Sequence, residues 1–255
     1  MPPAPEYPVS VLFGAMRMSH EHYEWFVVDA SVSVAVLLGS FFLFKLMYRH
    51  KDPAKTTRGL GWFLSALTAV PQTVLGTMYA WRFLAAPSYG ALDIWSDDRI
   101  ARMSLTFFGA HLIFDTVLGV LYYPKYFNLL SGWVHHVLYL LLIRVLLQTN
   151  STRALMPGFV EELPTAILAF GNLFPSLRMD LLFGLTFLLT RIVFHALYSF
   201  RLCSFFNAFD HPAVLWSCLT CISSMILHIL WFYSWCQHLP KYLARSRPRR
   251  RKRNR

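Results

Sequence analysis

Apolar runs of roughly twenty residues, separated by short polar stretches, dominate the chain. They fall at 25–47, 60–81, 101–122, 131–147, 158–174, 179–200 and 214–235. About twenty such residues, wound as a helix, cross the hydrocarbon of a bilayer. The pattern therefore predicts an all-α membrane protein with seven transmembrane helices and no internal repeat. Pro71 stands in the middle of the second run, where it removes one backbone hydrogen bond and predicts a bend. The fifth run is short. It carries Glu161-Glu162-Leu163-Pro164-Thr165 near its start and is closed by Asn172 and Pro175, so a full and a re-entrant segment are both open.

Composition agrees with that pattern. The 255 residues are 56% hydrophobic and only 15% charged, well below the roughly 25% of soluble domains. The net charge of +11 is concentrated. Lys241 to Arg255 holds two Lys, seven Arg and no acid, whereas the remainder is nearly balanced. Beside a final span, such a tail is expected to meet anionic lipid headgroups rather than nucleic acid. Its Arg-x-Arg steps also resemble retention signals of the endoplasmic reticulum. A second basic cluster, Lys45, Arg49, Lys51, Lys55 and Arg58, follows the first run. With seven spans, both clusters share the cytoplasmic face and the N-terminus is lumenal. The Pro-rich, polar start predicts no secretory signal peptide. The expected divisions are a tail at 1–24, a first span with its basic loop at 25–58, a transmembrane domain at 59–240 and a basic tail at 241–255.

Ionisable groups inside apolar runs are expensive to bury and point to function. His111 and Asp115 are four residues apart in the third run and share a helix face. There the carboxylate can fix the imidazole's tautomer. The fourth run carries His135 and His136, about 100° apart around the helix, so one is expected to face a cavity and the other a neighbouring helix. Glu161 and Glu162 open the fifth run. Arg191 and His195 share a face of the sixth, Arg191 being the expected counter-ion of Glu161, Glu162 or Asp115. Arg144, near a helix end, is expected to snorkel. His228 in the last run is not among the candidates. Tyr122-Tyr123-Pro124-Lys125-Tyr126 reads as an interface anchor, and Cys203, Cys218, Cys221 and Cys236 as small apolar residues.

The ten His form none of the H-x-x-x-H or H-x-x-H-H boxes of membrane desaturases, and the C-x-x-C at Cys218 and Cys221 has no second pair, so no metal site is expected. Bis-His haem is disfavoured by the neighbouring acids. Acyl transfer suits the set better. A His oriented by a carboxylate can act as base or nucleophile on an activated thioester. His111, Asp115, His135, His136 and Glu161 or Glu162 supply those parts.

The third run with HLIFDTVLG, the following YYP, W-V-H-H in the fourth, EELPTAILAFGNLF and TRIVFHALY resemble the TLC-domain membrane proteins, which include the ceramide synthases. The resemblance covers about 59–237 and is most specific at the paired His. It implies a six-helix bundle around a lipid-accessible cavity plus one N-terminal span, in an endoplasmic-reticulum-type membrane. By position, His135 and His136 match the paired histidines that serve acyl transfer, and Asp115 matches an acid of the preceding helix. His111, Glu161, Glu162, Arg191 and His195 are then the expected lipid contacts. No cofactor is expected to be held, acyl-CoA being the co-substrate of an enzymatic version. Where ceramide synthases carry two aspartates after the His pair, this chain has Glu161 and Glu162, and it is shorter. It looks more like the TLC branch linked to membrane phospholipid composition, lipid sensing or cargo export. The expected partners are membrane lipids, and the sequence carries no signature of oligomeric state.

Overall fold

The computed structural model describes residues 20–48, 52–85, 94–204 and 212–246. Within them the chain is helical, with no strand. α1 spans His20–Met47, α2 Pro53–Ala85, α3 Arg99–Tyr122 and α4 His135–Gln148. α5 spans Glu162–Leu173, α6 Asp180–Phe187, α7 His195–Ser204 and α8 Pro212–Ser246. Among the described residues, four helices are long and apolar enough to cross a membrane: His22–Met47, Arg99–Tyr122, Asp180–Cys203 and Ala213–Leu243. Leu43, Leu121, Leu189, Ile222 and many other large apolar side chains on these rods face outward. Exposed apolar surface on that scale needs a lipid environment, and the protein is an integral membrane protein.

The expected spans between these four differ in form. α2 has the length at 33 residues, but Ser65, Thr68, Gln72, Thr73 and Thr77 interrupt its apolar character. It continues through Pro71. The fourth expected run is a shorter apolar helix, Gly132–Gln148, whose start is a π turn at Leu129–Val134. The fifth is no full-length α-helix. A 3₁₀ segment, Met156–Glu161, leads into the 12-residue α5. That helix runs for about 18 Å, short of the roughly 30 Å hydrocarbon thickness. At the C-terminal end, α8 runs through Pro240 to Ser246, six residues into the expected tail. Arg247 to Arg255, residues 1–19, and Arg49, His50 and Lys51 of the first basic loop lie outside the described residues.

The core is built around α2 and α3. Leu105, Phe108 and Leu112 of α3 pack with Tyr79 of α2, Leu146 of α4 and Met156 and Phe159 of the 3₁₀ segment. Gln72 and Ser104, both buried, tie α2 to α3. The Gln72 amide donates to the Ser104 carbonyl at 3.1 Å, and the Ser104 hydroxyl donates to Gln72 Oε1 at 2.6 Å. α1 packs on α3, with Leu37 and Phe41 beside Leu60, Leu64, Leu118 and Tyr123.

One end of the bundle is held by charge. Buried Asp29 of α1 pairs with Arg99, whose guanidinium lies 4.7 Å from the Trp25 ring. Asp97 pairs with buried Arg102 and accepts from Thr152. Asp98 caps α3 through the Ala101 amide at 2.7 Å, and also accepts from Arg153 Nε at 2.6 Å and the Tyr79 hydroxyl at 2.8 Å. Burial pushes the Asp98 carboxyl up, but the Ala101 amide, Arg153 and Tyr79 outweigh it and hold the group below the usual carboxylate range. A lowered folded pKa stabilises the fold in full above the unfolded value of about 3.9. That stabilisation is lost as pH falls through the folded value. Asp98→Asn is therefore expected to lower Tm at pH 7, with the gap to wild type closing as pH falls below 4. A gap that persists unchanged in acid would contradict this.

Candidate functional site

Both π turns lie beside candidate residues. The one at Leu129–Val134 delivers His135 and His136, and the one at Leu188–Phe194 contains Arg191 and delivers His195. A π turn inserts an extra residue, re-aims the side chains that follow and recurs at functional sites.

A cavity of about 440 Å³ lies between α2, α3, the start of α4, α5, α6 and α8. This volume is within the range of small-molecule sites. Trp62, Phe108, Phe127, Leu168, Phe183, Phe187 and Trp231 supply apolar wall; Thr68, His111, Asp115, His135, His136, Glu162 and Arg191 supply polar groups.

The pairings differ from those expected. Asp115 pairs not with His111 but with Tyr123 and His136. Its Oδ1 accepts from the Tyr123 hydroxyl at 2.6 Å, and its Oδ2 lies 3.8 Å from His136 Nε2. Tyr123, read as an interface anchor, is buried and serves this carboxylate. His111 is buried, and its Nδ1 has no hydrogen-bond partner. The same holds for the Thr68 hydroxyl. Unsatisfied buried polar atoms are rare in native interiors and ask for a bonding group.

His135 and His136 both border the cavity, contrary to the expected division of labour. Their rings diverge, with centroids 5.8 Å apart and planes at 57°. The Thr116 hydroxyl donates to the Leu112 carbonyl at 2.7 Å, so it can only accept from His136 Nδ1, also at 2.7 Å. That proton assignment leaves His136 Nε2 as a lone pair on the Asp115 side. The His135 ring packs at 4.7 Å against Tyr139 and at 6.1 Å against Trp231.

Arg191 binds the start of α5. Its Nε donates to the Glu161 carbonyl at 2.8 Å and one terminal nitrogen to Thr165 Oγ1 at 2.8 Å, while Glu162 Oε1 lies at 3.5 Å. Of the three expected counter-ions Glu162 is the one met by the guanidinium, and Glu161 is met through its backbone. The Glu161 carboxylate instead faces His195, with Nδ1 to Oε1 at 2.7 Å. His228, absent from the sequence candidates, completes this group with Nε2 3.8 Å from Glu161 Oε2. A smaller space of about 30 Å³ adjoins these residues and shares Phe108, His135, Glu162 and Arg191 with the large cavity. Arg144 is exposed, Cys218 and Cys221 are buried, and Cys236 is exposed.

The signal for His228 was available. Each ionisable group within an apolar run requires a partner, and this one sits in the last span. Nothing in the sequence marks Thr116 or Tyr139. Comparison of the chain with protein-family models, with curated proteins and with solved structures gives no match in any of the three.

Proposed function

We propose that this is a lipid-handling protein of the endoplasmic reticulum, with a TLC-like bundle of seven transmembrane segments, the fifth built from the 3₁₀ segment and α5 together, a lumenal N-terminus and a cytoplasmic basic tail, acting on membrane lipid composition through lipid binding. The observation that carries the reading is the cavity of about 440 Å³, which sets His111, Asp115, His135 and Glu162 within a largely aromatic wall. A lipid headgroup or acyl carbonyl bonds to these polar lining groups, and its chain takes the apolar wall. The membrane address and the bundle rest on the resemblance of H-x-x-x-D, W-V-H-H and the acidic, Pro-containing segment to TLC proteins.

His136 favours a second reading, an acyltransferase. Its bonded Nδ1 and free Nε2 beside Asp115 form a poised nucleophile. Nε2 would attack the thioester carbonyl of acyl-CoA. The thiolate leaves, and the acyl-imidazolium passes its acyl group to the amine or hydroxyl of an acceptor lipid, whose proton goes to Asp115 and on to the departed thiolate.

Mass spectrometry of the gently purified protein tests both. The binding reading expects one non-covalent lipid per chain. Its occupancy should fall about tenfold in His111→Leu/His135→Leu, since two lost hydrogen bonds are worth about 0.5–1.5 kcal/mol each. An acyl mass on the peptide holding His136 would establish the acyltransferase. Purification with neither sinks both readings.

A further inference from the structure

The group of Glu161, His195 and His228 has a proton count that its own side chains do not complete. His195 Nε2 lies 2.9 Å from the Cys221 carbonyl. A carbonyl only accepts, so the proton is on Nε2. His228 Nδ1 lies 3.0 Å from the Arg191 carbonyl, which places its proton on Nδ1. The nitrogens left over, His195 Nδ1 and His228 Nε2, both turn toward the Glu161 carboxylate, at 2.7 and 3.8 Å from its two oxygens. Three lone-pair atoms thus converge, all within 4.8 Å of one another, in a buried pocket. A proton shared between His195 and Glu161 satisfies that contact. It leaves His228 Nε2 directed at a carboxylate oxygen with no donor between them.

We infer that Glu161, His195 and His228 bind a zinc ion. Two imidazoles and one carboxylate are a common zinc set, completed by one water or ligand. Imidazoles bound to a metal characteristically donate their second N–H to a carbonyl or carboxylate, which fixes the tautomer and ring direction. Both rings here do so. Zinc bonds of about 2.0–2.1 Å in a tetrahedron place ligand atoms a little over 3 Å apart, so the 2.7 Å His195–Glu161 contact opens slightly and His228 closes in from spacings of up to 4.8 Å, a side-chain adjustment of about an ångström. The adjoining space of about 30 Å³ holds a water and little more. That fits one open position, not the several of a non-haem iron centre. Charge fits as well. The Arg191–Glu162 pair cancels, and zinc with Glu161 leaves one positive charge for a hydroxide or a ligand anion. This inference is independent of which lipid fills the larger cavity.

The full chain, purified in detergent with metal-free buffers and then supplied with zinc alone, is the sample. Elemental analysis after desalting should find about one zinc per chain, and below about one tenth in His228→Ala and Glu161→Gln. Cobalt in place of zinc should give the intense visible bands of a four-coordinate site. Tm in the same detergent guards against misfolding. His228→Gln, which keeps bulk and polarity, should retain the Tm of metal-stripped wild type while failing to gain stability on adding zinc. Wild type that takes up no zinc, or His228→Gln and Glu161→Gln that take up as much as wild type, would overturn the assignment. So would iron as the bound metal when both ions are offered.

Discussion

Arg191→Ala is expected to lower stability by about 3–5 kcal/mol, the range for removing one partner of a buried charge pair. Three groups depend on the guanidinium: the Glu161 carbonyl, the Thr165 hydroxyl and the Glu162 carboxylate. All three lie at the start of α5, and removing the guanidinium leaves buried acceptors without their donor and a buried carboxylate without its counter-charge. The check is the unfolding midpoint in a single detergent, read against a cycle with Glu162→Gln. Removing the acid as well relieves the uncompensated charge, so the double variant should be more stable than Arg191→Ala alone. If the two single losses simply add, the pair does not interact and the ion-pair account fails. The carbonyl and hydroxyl bonds remain broken in the double variant, so full recovery of wild-type stability is not expected.

The same side chain shows what the sequence could convey. Arg191, Glu161, Glu162, His195, His111, Asp115 and the His pair all stood out because an ionisable residue in an apolar run must be paired or functional. The long uninterrupted runs were legible for the same reason, since about twenty apolar residues as a helix match the hydrocarbon thickness. The four rods that meet this criterion coincide with four of the expected runs.

Partner choice was far less legible. Spacing of four suggested that Asp115 serves His111, yet helices in a bundle bring closer claimants. Tyr123 folds back onto Asp115 from one side and His136 approaches from the neighbouring helix. Hydrophobic period also says nothing of π and 3₁₀ turns, which differ from an α-turn by one backbone hydrogen-bond register. Those turns place His135, Glu161 and Arg191. The shortness of α5 follows from the same blind spot. Its run is apolar only beyond Glu161, Glu162 and Thr165, and Pro157 just before it and Pro164 within it are compatible with a 3₁₀ segment and the first turn of a new helix.

How Glu161 comes to face His195 and His228 depends on a residue with no side chain. A Cβ at Gly76 of α2 would lie 2.3 Å from both the Phe159 carbonyl carbon and the Val160 nitrogen. Those atoms are backbone of the 3₁₀ segment, which cannot swing aside as the end of a side chain can. Gly76→Val is therefore expected to push Met156–Glu161 off α2 and to remove about 3 kcal/mol or more, at the upper end of overpacking losses. Phe159 would leave its buried place beside Phe108, whose ring centroid lies 5.0 Å away. Glu161 would be carried out of reach of His195. A more graded variant separates geometry from global failure. Gly76→Ala adds only the Cβ, which at 2.3 Å from backbone atoms still demands a shift of about an ångström to reach ordinary contact. It should lower zinc uptake and Tm together, whereas Gly39→Ala in α1, where a Cβ meets nothing within 4 Å, should lower neither. A Gly76→Ala protein with wild-type Tm would mean that α2 and the 3₁₀ segment do not touch along their backbones. In that case Glu161 would be positioned by Arg191 alone.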